Sequence, residues 1–300
     1  TTEEMESTNL VTASGNAADL VSNSLCKAAP PADNCKVEKN FVMALVPAPV
    51  PPPEKIQPVN SASGSPMTFS VVRSDSLACE PLCPEWIYAE GVITPATPKI
   101  FEWFLEKTKS GHLPVIIRSD GGHPTAAMLL GRSIRKHGMT VATGATHFAG
   151  CSTSKFFCRS QTDRQGRYHG RVVEENNYCN GSCILVLAAG KSRFAGRTNE
   201  VRVQKLFAEE MPAIPNALKV STAASAEITF EHDLGAYLDE MGINRNLMKY
   251  IYREENTPPY PMKIDELFDL NLVTGRLHAS NLTNNRACWV LPPAAYCIKR

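Results

Sequence analysis

The pattern of apolar and polar positions changes near residue 66. Upstream, residues 1–40 are polar and rich in Ser, Thr, Asn and Ala, and Val46-Pro-Ala-Pro-Val-Pro-Pro-Pro-Glu54 follows. Proline fixes φ and has no N–H to donate, so this stretch reads as a polyproline II spacer or strap. With the flexible Ser61-Ala-Ser-Gly-Ser65 it makes 1–66 an extension. Downstream the pattern is that of an α/β domain. Thr68–Arg73 alternates as a strand, a cysteine-bearing loop spans 74–84, and Trp86-Ile-Tyr-Ala-Glu-Gly91 is a buried strand ended by glycine. Thr97-Pro98 pairs an N-cap with proline at the first helical position, predicting a helix to about Lys109 with Ile100, Phe104 and Leu105 inward. Leu113–Arg118 is apolar throughout, as in a parallel strand covered on both faces. Ser119-Asp-Gly-Gly122 is a tight turn. Residues 125–137 form a helix with Ala126, Leu129, Leu130 and Ile134 on one side and Gly138 as its stop. Met139–Thr143 is again a strand. This alternation predicts parallel strands joined by right-handed crossovers.

The segment 144–177 breaks the rhythm and reads as a long polar surface excursion. Ser182–Ala189 is a short apolar helix ended by Gly190, and further helices are expected at 229–241, 244–254 and 264–268. A tail, 276–300, closes the chain behind a domain spanning 67–275.

Ten cysteines add a constraint. They fall in close pairs, Cys26/Cys35, Cys79/Cys83, Cys151/Cys158, Cys179/Cys183 and Cys288/Cys297, which reads as a disulfide framework made in an oxidising compartment. Local pairing is the simplest connectivity. The Cys179–Cys183 bridge requires a non-helical Cys179, because two cysteines on one regular helix are poorly aimed at each other. Buried free thiols are the alternative. Zinc fits less well, since no C-x-x-C knuckle and no His-x-x-x-His accompany the pairs. The chain begins at Thr1 without Met or an apolar leader, as a mature exported chain or a trimmed one would. Its formal net charge is +1, with basic residues scattered, so no nucleic-acid footprint is visible. No apolar run is long enough for a transmembrane helix.

Three motifs carry the candidate chemistry. They are the turn Ile117-Arg-Ser-Asp-Gly-Gly122 leading into a helix with Gly131-Arg132, the elbow Cys179-Asn-Gly-Ser-Cys183 leading to Ala188-Ala-Gly190, and Ile264-Asp-Glu-Leu-Phe-Asp-Leu-Asn-Leu272. With the lead-in Trp86-Ile-Tyr-Ala-Glu-Gly-Val-Ile93, the set resembles the Clp protease proteolytic subunit and the signal peptide peptidase A relatives, over about two-thirds of the chain. It is most similar to exported Clp-like proteins whose elbow reads Cys-x-Ser-x-Cys. The resemblance implies a ClpP/crotonase-like core of repeated ββα units with C-terminal helices. It also implies a periplasmic or otherwise extracytoplasmic location and a homo-oligomer, with Leu247, Met248, Tyr250 and Ile251 as contact candidates. An oxyanion hole would be supplied by backbone near Gly121/Gly122 and at Ser182.

The catalytic pair departs from that pattern. Counting two forward from Cys179, or nine back from Gly190, places the family's nucleophilic serine at Gly181. The stretch that should hold its histidine, Glu200-Val-Arg-Val-Gln-Lys-Leu-Phe207, offers only Gln204. A serine hydroxyl without a base is a weak nucleophile. The expected function is therefore that of a catalytically degenerate Clp-like protein acting as a binding or assembly component, with a protein or peptide partner and no cofactor or metal. Two alternatives stand beside it. One is a serine hydrolase using Ser182, for which Lys191, nine residues on across a helix, is a poorly placed dyad partner; the other is a crotonase-like acyl-CoA enzyme. His123 beside the Gly-Gly turn, and His147 and His169 in the excursion, are further candidates for a site.

Overall fold

The computed structural model describes residues 64–151, 162–173, 175, 177–196, 201–206, 216–253 and 258–299, with no side-chain detail for 216–226. These fall within one unit, Gln57–Arg300. Cys26, Cys35, Cys158, the Pro-rich segment and residues 152–161 of the excursion lie outside the described residues.

The architecture is mixed α/β. Strands β1 (Thr68–Ser74) and β2 (Leu82–Glu90) pair antiparallel. Helix α1 (Thr97–Thr108) then leads to β3 (Val115–Arg118), and α2 (Pro124–Lys136) leads to β4 (Val141–Thr143). β2, β3 and β4 are parallel neighbours, as the apolar runs predict. β5 (Ala145–Phe148) and β6 (Tyr168–Val173) pair antiparallel with each other, and β6 adds parallel to β1. Two stretches of the excursion, 145–148 and 168–173, are thus strands rather than surface loop. Its polar residues misled because β6 buries Val172 beside exposed Arg171 and half-exposed Val173, next to the edge strand β5. With β8 (Arg193–Phe194), the sheet order is β5-β6-β1-β2-β3-β4-β8, and β11 (Cys297–Lys299) pairs with the start of β2.

The helix faces differ from expectation at single positions, Ile100 and Leu129, while Leu105, Ala126, Leu130 and Ile134 face inward as expected. α1 starts at Thr97 rather than after it, and the Thr97 hydroxyl accepts from the Thr94 backbone N–H at 2.8 Å. Phe101 and Leu105 face the core while Ile100 is exposed. On α2, Ala126, Leu130 and Ile134 are buried and Leu129 is exposed. Both helices carry a wider apolar stripe than the sheet covers, so periodicity alone misplaces its edge. α3 (Cys183–Ala189) buries every side chain, and Gly190 ends it. The Tyr237 hydroxyl, from α4 (Asn216–Glu240), donates to Leu185 O at 2.6 Å and ties α3 to the long helix. In α5 (Leu247–Ile251), Leu247 and Ile251 are fully buried, which removes them from any contact between subunits; Met248 and Tyr250 are partly buried. α6 (Ile264–Asp269) follows, and the tail folds as α7 (Ala279–Leu282), α8 (Arg286–Trp289) and β11.

Three disulfides close as expected: Cys79–Cys83, Cys179–Cys183 and Cys288–Cys297, with Cα–Cα distances of 4.8, 5.2 and 5.5 Å. Cys151 is also disulfide-bonded, and no described cysteine is free. Such bridges are consistent with an oxidising, extracytoplasmic setting. No described helix is long and apolar enough to cross a membrane.

Candidate active site

The elbow is built by one two-residue strand. β7 (Cys179–Asn180) lies between the turn after β3 and β9 (Val201–Val203). On one side Ser119 N–H donates to Tyr178 O at 3.0 Å and Asn180 N–H to Ser119 O at 2.9 Å. On the other, β7 runs parallel to β9 with Asn180 opposite Arg202, and β9 pairs in turn with β10 (Tyr260–Pro261). Cys179 sits in the strand and Cys183 opens α3, so the bridge spans a bend and not a helix, as its spacing requires.

This register joins two positions that are 23 residues apart in sequence. Gly181 N–H donates to Arg202 O at 3.0 Å, and Gln204 follows directly after β9. A Cβ on Gly181 would lie 3.0 Å from Gln204 Nε2, 3.3 Å from its Cδ and 3.4 Å from its Cγ. The residues that stand for nucleophile and histidine in the sequence count are therefore side by side, with the glutamine amide filling the space over the glycine. Gly181 has φ +52°, the left-handed region that an L side chain enters only at a cost.

Gly121 and Gly122 reach the same place. Their φ values are +89° and +129°, and a Cβ on Gly121 would meet Asn180 O at 2.6 Å and Ser182 N at 2.9 Å, so only glycine permits this approach. Ile93 N–H donates to Gly121 O and His123 N–H to Ile93 O, which fixes the turn against the chain leaving β2. Gly121 N–H donates to Ser119 Oγ at 3.1 Å and so leaves the expected set of oxyanion donors, while no described group accepts from the N–H of Gly122 or of Ser182. The Ser182 side chain is buried and its hydroxyl donates to Gly122 O at 3.0 Å. Lys191 lies beyond the opposite end of α3, exposed, with its N–H on Met139 O.

A polar chain that sequence reasoning missed lies against the elbow. Arg118, at the end of β3, forms a buried ion pair with Glu90 at 2.6 Å, and its guanidinium lies 4.4 Å from the centre of the Tyr178 ring. Asn180 Nδ2 donates to Asp120 Oδ1 at 2.9 Å, while Asn180 Oδ1 is buried without a partner among the described residues. Burial raises the Tyr178 phenol's pKa, with Asp120 and Glu90 adding to the rise and Arg118 opposing it. For Arg118, burial works against the cation, but Tyr178, Tyr88 and Glu90 outweigh it and the pKa is raised. The signal available in the sequence was a charged residue at the end of each of two buried strands, Glu90 and Arg118.

The other candidates do not join this group. His123 is the N-cap of α2, its Nδ1 accepting from Ala126 N–H at 3.1 Å. His147 stands opposite Arg171 in the β5–β6 pair, and His169 Nε2 is 3.5 Å from Asp163. Among the described residues no group of three or more His, Cys, Asp or Glu is placed to hold a metal ion. No protein-family model and no curated protein matches the chain.

Proposed function

We propose that the chain is a catalytically degenerate relative of the Clp-type serine peptidases, acting as a binding or assembly component in an extracytoplasmic compartment. The observation that carries this reading is the contact between Gln204 and Gly181. Glycine has no nucleophile, and a glutamine amide does not accept a proton at neutral pH. Losing a triad member leaves about 10³–10⁴-fold catalysis over water, from binding and oxyanion stabilisation alone. What is retained is the carbonyl-binding half of such a site: the N–H groups of Gly122 and Ser182, at two turns in contact, without a described acceptor. The ligand this suits is a peptide carbonyl held without being cleaved. Assembly as a homo-oligomer belongs to the same reading, with exposed Trp103 and Ile100 of α1 and Leu129 of α2 as apolar contact surface. Light scattering giving a monomer at micromolar concentration would remove that part.

The rival reading, a serine peptidase using Ser182, is tested on the native protein with a fluorophosphonate probe and peptide mapping. The degenerate reading predicts no labelling, because Ser182 is buried and its hydroxyl donates to Gly122 O. Stoichiometric labelling of Ser182, abolished by Ser182→Ala, would replace it with the rival.

A further inference from the structure

The end of α8 and the loop that follows it toward β11 hold three consecutive apolar side chains in solvent. Trp289, Val290 and Leu291 are 63%, 56% and 95% exposed, and Leu77, on a neighbouring turn, is 91% exposed. Scattered exposed hydrophobics need no explanation, but these are displayed on fixed supports. Cys288–Cys297 closes the first loop, Ala294 N–H bonds Ala287 O across it, and Cys79–Cys83 closes the second. The two form one corner of the molecule. Asn285, the N-cap of α8, donates from Nδ2 to Ser76 Oγ at 2.8 Å, and β11 pairs with Leu82–Pro84.

The charge of the same segment is one-sided. Residues 276–300 contain Arg276, Arg286, Lys299 and Arg300 and neither Asp nor Glu, in a chain whose net charge is only +1. Arg276 pairs with Asp265 at 3.3 Å. Exposed Arg286 stands one helical turn before Trp289, and exposed Lys299 lies on β11. A projecting Trp-Val-Leu tip with basic residues at its base matches an anionic lipid surface. Indole is placed favourably at the headgroup level, and Arg and Lys pair with phosphates there.

We propose that this corner is a membrane-docking tip: Trp289, Val290, Leu291 and Leu77 enter the interfacial layer of an anionic bilayer, and Arg286 and Lys299 engage its headgroups. A lipid surface adapts to a projecting tip; residues 276–300 carry no carboxylate to repel an anionic one, and the carboxylates beside Leu77, Asp75 and Glu80, are each paired with an arginine, Arg171 at 3.2 Å and Arg73 at 3.3 Å. The test is co-sedimentation of the full, oxidised chain with vesicles of phosphatidylcholine alone or with about 30% phosphatidylglycerol added, a content that sets a negative surface potential. The native protein should bind the anionic vesicles and lose binding as salt is raised. Trp289→Ser with Leu291→Ser should weaken that partitioning about tenfold or more, the loss expected for two large apolar side chains. Arg286→Gln with Lys299→Gln should remove the preference for anionic over neutral vesicles, at about fivefold per charge. All four side chains are exposed, so an unchanged thermal midpoint confirms that each variant is folded. Absent binding to anionic vesicles, or variants that bind like the native chain, would overturn the proposal. So would a change of assembly state in Trp289→Ser without any vesicle binding, which would make the corner a subunit contact.

Discussion

Replacing Gly131 by alanine pits helix propensity against packing at the point where α2, α3 and α4 meet. In a helix interior, alanine is favoured over glycine by about 1 kcal/mol. A Cβ at 131 would overlap the Tyr237 hydroxyl and lie 3.0 Å from Tyr237 Cζ and 3.1 Å from Ala189 Cβ. Tyr237 is fully buried and its hydroxyl donates to Leu185 O at 2.6 Å. Overpacking a dense core costs about 1–3 kcal/mol. Displacing a buried hydroxyl from its acceptor costs about 1–3 kcal/mol more. Subtracting the propensity gain, Gly131→Ala should destabilise by about 1–5 kcal/mol, centred near 3. Tyr237→Phe alone loses only the hydrogen bond, about 1–2 kcal/mol. It also removes the atom that an alanine would strike, so the double variant should be more stable than additivity predicts, with a coupling of about 1–3 kcal/mol. Urea unfolding of the four proteins measures this directly. A neutral or stabilised Gly131→Ala, or strictly additive effects, would refute the claim that Gly131 exists to admit Tyr237 and seat α3.

Two further outcomes concern paired charges. Glu85, 6% exposed, accepts from Arg73 at 3.0 Å and also pairs with Arg167, so Glu85→Ala leaves guanidiniums buried without their shared carboxylate. It should cost about 3–5 kcal/mol in denaturant titration, and a loss below about 1 kcal/mol would show that the cluster is hydrated or redundant. Burial raises the Asp163 pKa, but the Arg167 backbone N–H and guanidinium and the Gln165 N–H outweigh burial and hold it below the usual range. Glu266 is likewise lowered, burial being outweighed by the Lys263 N–H and the Tyr260 and Tyr250 hydroxyls. A carboxylate depressed in the folded state contributes stability that is present above its unfolded pKa of about 4 and is lost as pH falls through the folded value. Thermal midpoints should therefore drop below about pH 4, and Asp163→Asn or Glu266→Gln should flatten that limb. Acid limbs parallel to that of the native chain would contradict the assignment.

The sheet's parallel centre was legible because β2, β3 and β4 are buried on both faces and separated by helices of ordinary length. Three of the local pairs taken as the simplest connectivity close as bridges, and Cys179 is non-helical as its bridge requires. What sequence could not supply was pairing across distance. β7 and β9 are two and three residues long, too short to carry periodicity, yet their register sets Gln204 over Gly181. The polar excursion concealed β5 and β6, because strands at a sheet margin need little apolar sequence. Arg118, Glu90, Tyr178 and Asp120 were individually unremarkable and become a chain only once β2 and β3 end together beside the elbow.

The most direct test of the proposed degenerate site is to restore it. The native chain, Gly181→Ser, Gln204→His and the double variant are exposed to a fluorophosphonate probe and mapped by mass spectrometry. The juxtaposition of Gly181 and Gln204 predicts labelling at position 181 in the double variant alone, since only there do a hydroxyl and an imidazole meet. Equal labelling of the native chain, or of Gly181→Ser by itself, would contradict the account, as would a folded double variant that remains unlabelled.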